Sequence, residues 1–134
     1  MYHNRRITKK LEQYIPAAKI FEKFSQEAGI AFLDSSLINE LGQYSIIGRK
    51  PYKILKKEQG QFFQNGSLRT DTTFEAYLKR YLQDHVDENE LDIPMVSGAI
   101  GYLSYEYGRE RMGIDSMEKD PCPIPEALFT FYDL

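Results

Sequence analysis

The dipeptide Asn65-Gly66 is a strong signal for a two-residue β-hairpin, because Asn and Gly adopt the positive φ angles that this turn requires. It follows short segments that have strand character and are bounded by turn-forming residues. These segments are too short to be helices. They are residues 30–33, 44–47, 52–57 and 61–64. The pattern predicts an antiparallel meander.

Two other segments have apolar residues at helical spacing. The first runs from Pro16, which suits a first helical turn, to Gly29, which suits the end of a helix. The second covers about residues 73–85 and follows Thr72 and Glu75, whose spacing matches a capping box. We therefore predict two amphipathic helices among the strands.

Two later segments complete the predicted fold. Residues 97–105 are apolar and aromatic, with small residues such as Gly101 that allow another element to approach the backbone closely, and we predict a central strand there. Residues 126–132 form a further strand candidate. Together the segments predict one α+β domain over residues 1–134, with largely antiparallel sheets and two or three packed helices.

Charge and composition exclude several classes of protein. The net charge of -3 provides no field that would attract nucleic acid, and no apolar run reaches the roughly 20 residues that span a bilayer. The basic N-terminal run that includes Arg5 and Arg6 could be an RNA-binding patch, but a solvated face of an edge strand explains it equally well. Cys122 is the only cysteine, so the chain has no intramolecular disulfide. We expect a cytosolic protein with neither a nucleic-acid partner nor a membrane partner.

The motifs of common catalytic sites are missing from the sequence. The glycines form neither a dinucleotide fingerprint nor a P-loop, no Gly-x-Ser-x-Gly elbow occurs, and neither His3 nor His85 belongs to a metal-binding His-Glu pattern. We therefore predict no catalytic residue and no metal ligand in this chain.

One polar cluster remains as a candidate binding site. Asp34 and Ser35 end one predicted strand, and Tyr44 and Ser45 begin the next. Two adjacent antiparallel strands would bring these hydroxyl and carboxylate groups together, where they could hold an amine or carboxylate ligand. Ordinary turn chemistry is the alternative explanation, since Asp and Ser favour turns.

Four stretches, taken in order and spacing, resemble signatures of component I of the chorismate-using aminases, the aminodeoxychorismate and anthranilate synthases. They are Phe32-Leu33-Asp34-Ser35-Ser36, Gly42-Gln43-Tyr44-Ser45-Ile46-Ile47-Gly48, Ser97-Gly98-Ala99-Ile100-Gly101-Tyr102-Leu103-Ser104-Tyr105-Glu106-Tyr107-Gly108-Arg109, and Pro123 to Asp133. Each motif alone is short, but four in the same order make an accidental match improbable.

The resemblance implies what the parent protein does. The family converts chorismate, with ammonia from a glutamine amidotransferase partner, into aminodeoxychorismate or anthranilate. Its chorismate- and magnesium-binding residues lie in a longer C-terminal portion, which we expect to be absent from this chain. The resemblance therefore implies a non-catalytic N-terminal domain with an incomplete chorismate-aminase fold. Magnesium is expected only in the full-length parent.

The resemblance also implies a tryptophan-type pocket lined by Leu33, Asp34, Ser35, Tyr44 and Ser45. Asp34 stands where feedback-inhibited members have Glu, which weakens the case for tight tryptophan control.

The run at residues 105–109 resembles the corresponding run of aminodeoxychorismate synthases more than that of anthranilate synthases. This favours a role in para-aminobenzoate and folate biosynthesis. An anthranilate synthase domain of tryptophan biosynthesis and a free-standing amino-acid-binding module remain alternatives. Without a C-terminal portion to cover residues 97–105 and 129–132, we expect the chain to self-associate.

Overall fold

The computed structural model describes residues 6–37, 39–40, 42–114 and 124–134. His3, Arg5 and Cys122 lie outside the described residues. The elements, in chain order, are α1 (Ala17–Phe24), β1 (Ala31–Leu33), β2 (Ile46–Gly48), β3 (Pro51–Glu58), β4 (Gln61–Gln64), β5 (Ser67–Arg69), α2 (Phe74–Asp84), β6 (Ala99–Leu103), α3 (Tyr105–Arg111) and β7 (Ala127–Tyr132).

The strands form two antiparallel sheets. The larger sheet has the order β5-β4-β3-β7-β6, and the smaller one pairs β1 with β2. The predicted α+β fold with largely antiparallel sheets is confirmed, and the described residues contain three helices.

The hairpin predicted at Asn65-Gly66 joins β4 to β5. Both residues have positive φ, 50° and 81°. The Asn65 side chain also accepts a hydrogen bond of 2.7 Å from the backbone N–H of Ile54. Local turn chemistry therefore fixes the register of this part of the sheet.

Helix α2 agrees with its predicted span within one residue at each end, but its N-cap differs from the prediction. The cap is Thr73 and not Thr72: the Thr73 hydroxyl accepts a hydrogen bond of 3.2 Å from the N–H of Ala76. An N-cap side chain accepts a hydrogen bond from the backbone N–H of the second or third residue of the helix. Thr73 meets this requirement because the helix begins at Phe74.

The buried core lies between α2 and the larger sheet. Phe74 of α2 packs against Phe62 of β4 and Phe129 of β7, with ring centroids 6.1 and 6.2 Å apart. The buried apolar residues are Leu55, Phe62, Phe74, Ala127 and Phe131.

Strand β6 differs from its prediction in position and in length. It is an edge strand and not a central one, and the chain leaves it at Ser104 to form α3. Ser104 caps this helix by accepting a hydrogen bond of 3.1 Å from the N–H of Tyr107. The close approach expected from the small residues does occur: a Cβ on Gly101 would lie 1.9 Å from the carbonyl oxygen of Leu128.

Helix α1 is shorter than predicted and packs on the smaller sheet. It ends at Phe24, and Gly29, with φ of 73°, instead occupies the turn that leads into β1. The ring of Phe21 stacks on that of Phe32 at 4.8 Å. In the described part of the chain, no helix is long and apolar enough to cross a membrane.

Candidate functional site

The five candidate residues lie where β1 ends and β2 begins. Leu33, the last residue of β1, is paired with Ile46, the first residue of β2. Continuing this antiparallel register places Asp34 opposite Ser45 and Ser35 opposite Tyr44. The sequence pattern therefore predicted their proximity correctly.

Hydrogen bonds join the four polar positions into one network. The Ser45 hydroxyl donates to Oδ1 of Asp34 at 2.6 Å, and the backbone N–H of Ser35 donates to the Ser45 hydroxyl at 3.5 Å. The Ser35 hydroxyl donates to the backbone carbonyl of Tyr44. Because Ser45 orients one carboxylate oxygen of Asp34, the carboxylate is held in place as an acceptor for a cationic group.

The apolar members of the site are open to solvent. Leu33 is 51% exposed and Tyr44 is 46% exposed. They offer apolar contact on one side of a ligand, but they do not enclose it. An arrangement of this kind binds weakly unless another surface covers it.

A groove of about 470 Å³ runs between α1 and β2, next to this network. Tyr44 and Ser45 line it, whereas Leu33, Asp34 and Ser35 are not among its lining residues. Its apolar wall consists mainly of Ile15, Ala17, Ile20, Phe24 and Ile47. Tyr44 and Ser45 thus belong both to the polar network and to the adjacent groove, whereas Asp34 and Ser35 belong to the network alone.

Arg49 lines the same groove and is held by two side chains, those of Glu27 and Phe24. Its Nε donates to Oε2 of Glu27 at 2.9 Å, its Nη2 bonds to Oε1, and the guanidinium carbon lies 3.5 Å from the centroid of the Phe24 ring. The hydrogen bond from Arg49 lowers the pKa of Glu27. Sequence analysis missed this pair, which meets because Glu27 lies in the turn before β1 and Arg49 directly follows β2, the strand that pairs with β1.

The residues that the structure describes contain no group of three or more His, Cys, Asp or Glu side chains that could hold a metal ion.

Two relatives match in sequence. The chain is 31% identical over 97 residues to "Anthranilate synthase component 1" of Lactococcus lactis subsp. lactis (strain IL1403), a match that covers 71% of this chain and 21% of that protein. It is 31% identical over 93 residues to "Anthranilate synthase component 1" of Bacillus subtilis (strain 168), covering 66% and 18%. No protein-family model matches the chain.

The fold is also similar to a solved structure, the crystal structure of anthranilate synthase component I from Streptococcus pneumoniae TIGR4. The TM-score is 0.54 at 17% sequence identity, over 99% of this chain and 23% of that one. The chain therefore spans about a fifth of the length of the curated relatives it matches. In sequence the chain is therefore similar to a limited part of anthranilate synthase component 1, and it shares its fold with part of the solved component I structure.

Proposed function

We propose that this chain is the non-catalytic N-terminal part of a chorismate-using aminase of the anthranilate synthase type. The observation that carries the proposal is the 31% identity over 97 residues to a protein named anthranilate synthase component 1. Both sequence matches carry this name, so they favour the tryptophan branch over the para-aminobenzoate and folate branch that residues 105–109 suggested.

Exposed apolar side chains on the larger sheet support a structural role beside a second portion. Tyr52 and Ile54 of β3 are 40% and 38% exposed. Covering such surface is favourable, at roughly 25 cal/mol per Å² of apolar area.

The assembly we propose contains two further components. One is the chorismate-binding portion of the same protein, which would hold chorismate and magnesium. The other is a glutamine amidotransferase subunit, which would supply ammonia. In this assembly the chain would contribute packing surface and not reacting groups.

The same domain is proposed to bind an indole amino acid at the network of Asp34, Ser35, Tyr44 and Ser45, with Leu33 beside it. The Asp34 carboxylate, which accepts a hydrogen bond of 2.6 Å from Ser45, would attract the ligand ammonium. Tyr44 and Leu33, both about half exposed, would supply apolar contact. The site is open on its outer side, so tight binding requires the second portion to cover it.

The gene sequence downstream of the Leu134 codon tests the proposal. We expect an open reading frame that encodes a chorismate-binding portion, and the whole protein should form anthranilate from chorismate, ammonia and magnesium. Aminodeoxychorismate as the product would move the protein to the folate branch. A stop codon with no gene for a chorismate-binding portion nearby would instead favour a free-standing amino-acid-binding module.

A further inference from the structure

Among the strands that the structure describes, β6 forms one edge of the larger sheet. Its only neighbour among the described strands is β7. It contains neither a charged residue nor a proline, the residues with which proteins usually block exposed edges: its sequence is Ala99-Ile100-Gly101-Tyr102-Leu103. The opposite edge strand, β5, has three residues and ends in Arg69. The two edges therefore differ in their capacity to accept another strand.

One hydrogen bond fixes the direction in which each peptide group of β6 points. The N–H of Ser104 donates to the carbonyl of Glu126 at 2.7 Å, across the β6 and β7 ladder. In an antiparallel ladder, alternate residues form hydrogen bonds with the same neighbouring strand. The backbone N–H and C=O groups of Ile100 and Tyr102 therefore also point towards β7. The N–H and C=O groups of Ala99, Gly101 and Leu103 must face outward, away from the sheet.

We propose that two copies of this chain pair through β6, antiparallel, about a two-fold axis at Gly101. In this register Ala99 of one copy lies opposite Leu103 of the other, and Gly101 lies opposite Gly101. Every outward N–H of these three residues then meets an outward carbonyl of the partner copy. The larger sheets of the two copies become one continuous sheet.

The side chains are complementary in the same register. Ile100 and Tyr102 share one face of the sheet, since they are paired with Thr130 and Leu128 of β7. Across the two-fold axis each Ile100 lies opposite the Tyr102 of the other copy, and an aliphatic residue opposite an aromatic one stabilises a β-ladder. Each copy thus contributes the same strand to the interface, and this strand is complementary to itself, as a two-fold interface requires.

Leu103 at the end of β6 is 55% exposed, and pairing opposite Ala99 of the other copy would cover part of this apolar side chain. The dimer does not rest on the proposed enzymatic role, because it needs only the β6 edge.

The variant Leu103→Pro tests the pairing. Proline lacks an N–H, and at this position it removes an outward donor while leaving the ladder with β7 intact. We expect sedimentation equilibrium to show a dimer for the unchanged chain and at least a ~10-fold weaker dimer for the variant.

Leu68→Pro in β5 is the matched control. The N–H of Asn65 donates to the carbonyl of Ile54 at 2.9 Å, so Lys56 and Phe63 also exchange hydrogen bonds across β3 and β4. Leu68, which is paired with Phe63, therefore points its N–H away from β4. Leu68→Pro therefore also introduces a proline where the N–H points outward, but at the β5 edge of the sheet. The dimer affinity of this variant should equal that of the unchanged chain.

Amide hydrogen exchange of the unchanged chain gives a second test that does not depend on the folding of a variant. The amides of Ala99, Gly101 and Leu103 should gain protection as protein concentration rises, whereas those of Ile100 and Tyr102 should be protected at every concentration. A monomer at up to about 1 mM would overturn the proposal. So would a dimer in which these three amides exchange as fast as in the monomer.

Discussion

The ring of Tyr132 lies directly against the α-carbon of Gly48, so closely that a Cβ on Gly48 would be 2.7 Å from Cδ2 of the ring. The Tyr132 hydroxyl also donates a hydrogen bond of 2.8 Å to the carbonyl of Gly29. Tyr132 ends β7 of the larger sheet, and Gly48 ends β2 of the smaller one. This contact attaches the sheet that carries the candidate site to the rest of the domain.

Gly48→Ala should therefore destabilise the chain. The added methyl group overlaps the Tyr132 ring, and overpacking of this kind costs about 1–3 kcal/mol. Urea unfolding should show a lower midpoint with an unchanged slope.

The matched control is Gly108→Ala, which makes the same substitution inside α3. A Cβ there meets no atom within 4 Å. Alanine is favoured over glycine in a helix by roughly 0.5–1 kcal/mol, so this variant should be slightly more stable than the unchanged chain. Equal effects of the two substitutions would show that the Tyr132 contact does not decide the outcome.

The parts of the fold that the sequence predicted depend on local chemistry. The Asn65-Gly66 hairpin needs only the φ preferences of two residues. Helix α2, Phe74–Asp84, needs a cap and a run of apolar residues at helical spacing. Both are encoded within short segments, so no knowledge of distant contacts was required.

The edge position of β6 and the existence of α3 were not predicted. Strand order depends on which segments pair across the whole sheet, and the apolar residues of an edge strand resemble those of a central one. Signals for α3 were present: Ser104 as the cap, Glu106 in the first turn, and Arg109 and Arg111 in the last. The continuous aromatic run across Tyr102 and Tyr105 concealed them, because it extended the predicted strand.

The candidate site was predictable in part. The proximity of Asp34 and Ser45 follows from two strands that are close in sequence. The adjacent groove follows from the packing of α1, which sets Phe24 and Arg49 beside each other. Such packing depends on the tertiary structure, which the spacing of apolar residues in α1 does not specify.

Acid should weaken the fold partly through Asp71. Two hydrogen bonds from Arg69, of 2.8 and 2.7 Å, lower the pKa of this carboxyl from 3.8 to about 2. Because the pKa is lower in the folded chain, the stabilising contribution is complete above about pH 4 and is lost as the pH falls towards 2. The stability difference between the unchanged chain and Asp71→Asn should therefore shrink over this range. Urea midpoints measured at several pH values check this, and a constant difference would contradict it.

The chain alone should form no product from chorismate with ammonia and magnesium. The family resemblance implies that the ligands of chorismate and magnesium lie in a longer C-terminal portion of such proteins, so we expect this chain to lack them. Chromatography with fluorescence detection of anthranilate checks this expectation. Product above a control without protein, from a homogeneous preparation, would show that the chain carries catalytic groups of its own.

Tryptophan should bind weakly at the Asp34 network, with a dissociation constant on the order of millimolar, because Leu33 and Tyr44 are half exposed and enclose little of the ligand. Asp34→Asn removes the charge that would attract the ammonium. Losing a hydrogen bond to a charged group costs about 1.5–3 kcal/mol, so affinity should fall roughly ten- to hundred-fold. Asp84→Asn is the control, since it makes the same change at the end of α2, where the carboxylate is 3.7 Å from Arg80. Chemical-shift titration of all three proteins gives the affinities, and equal values for Asp34→Asn and the unchanged chain would remove Asp34 from the site.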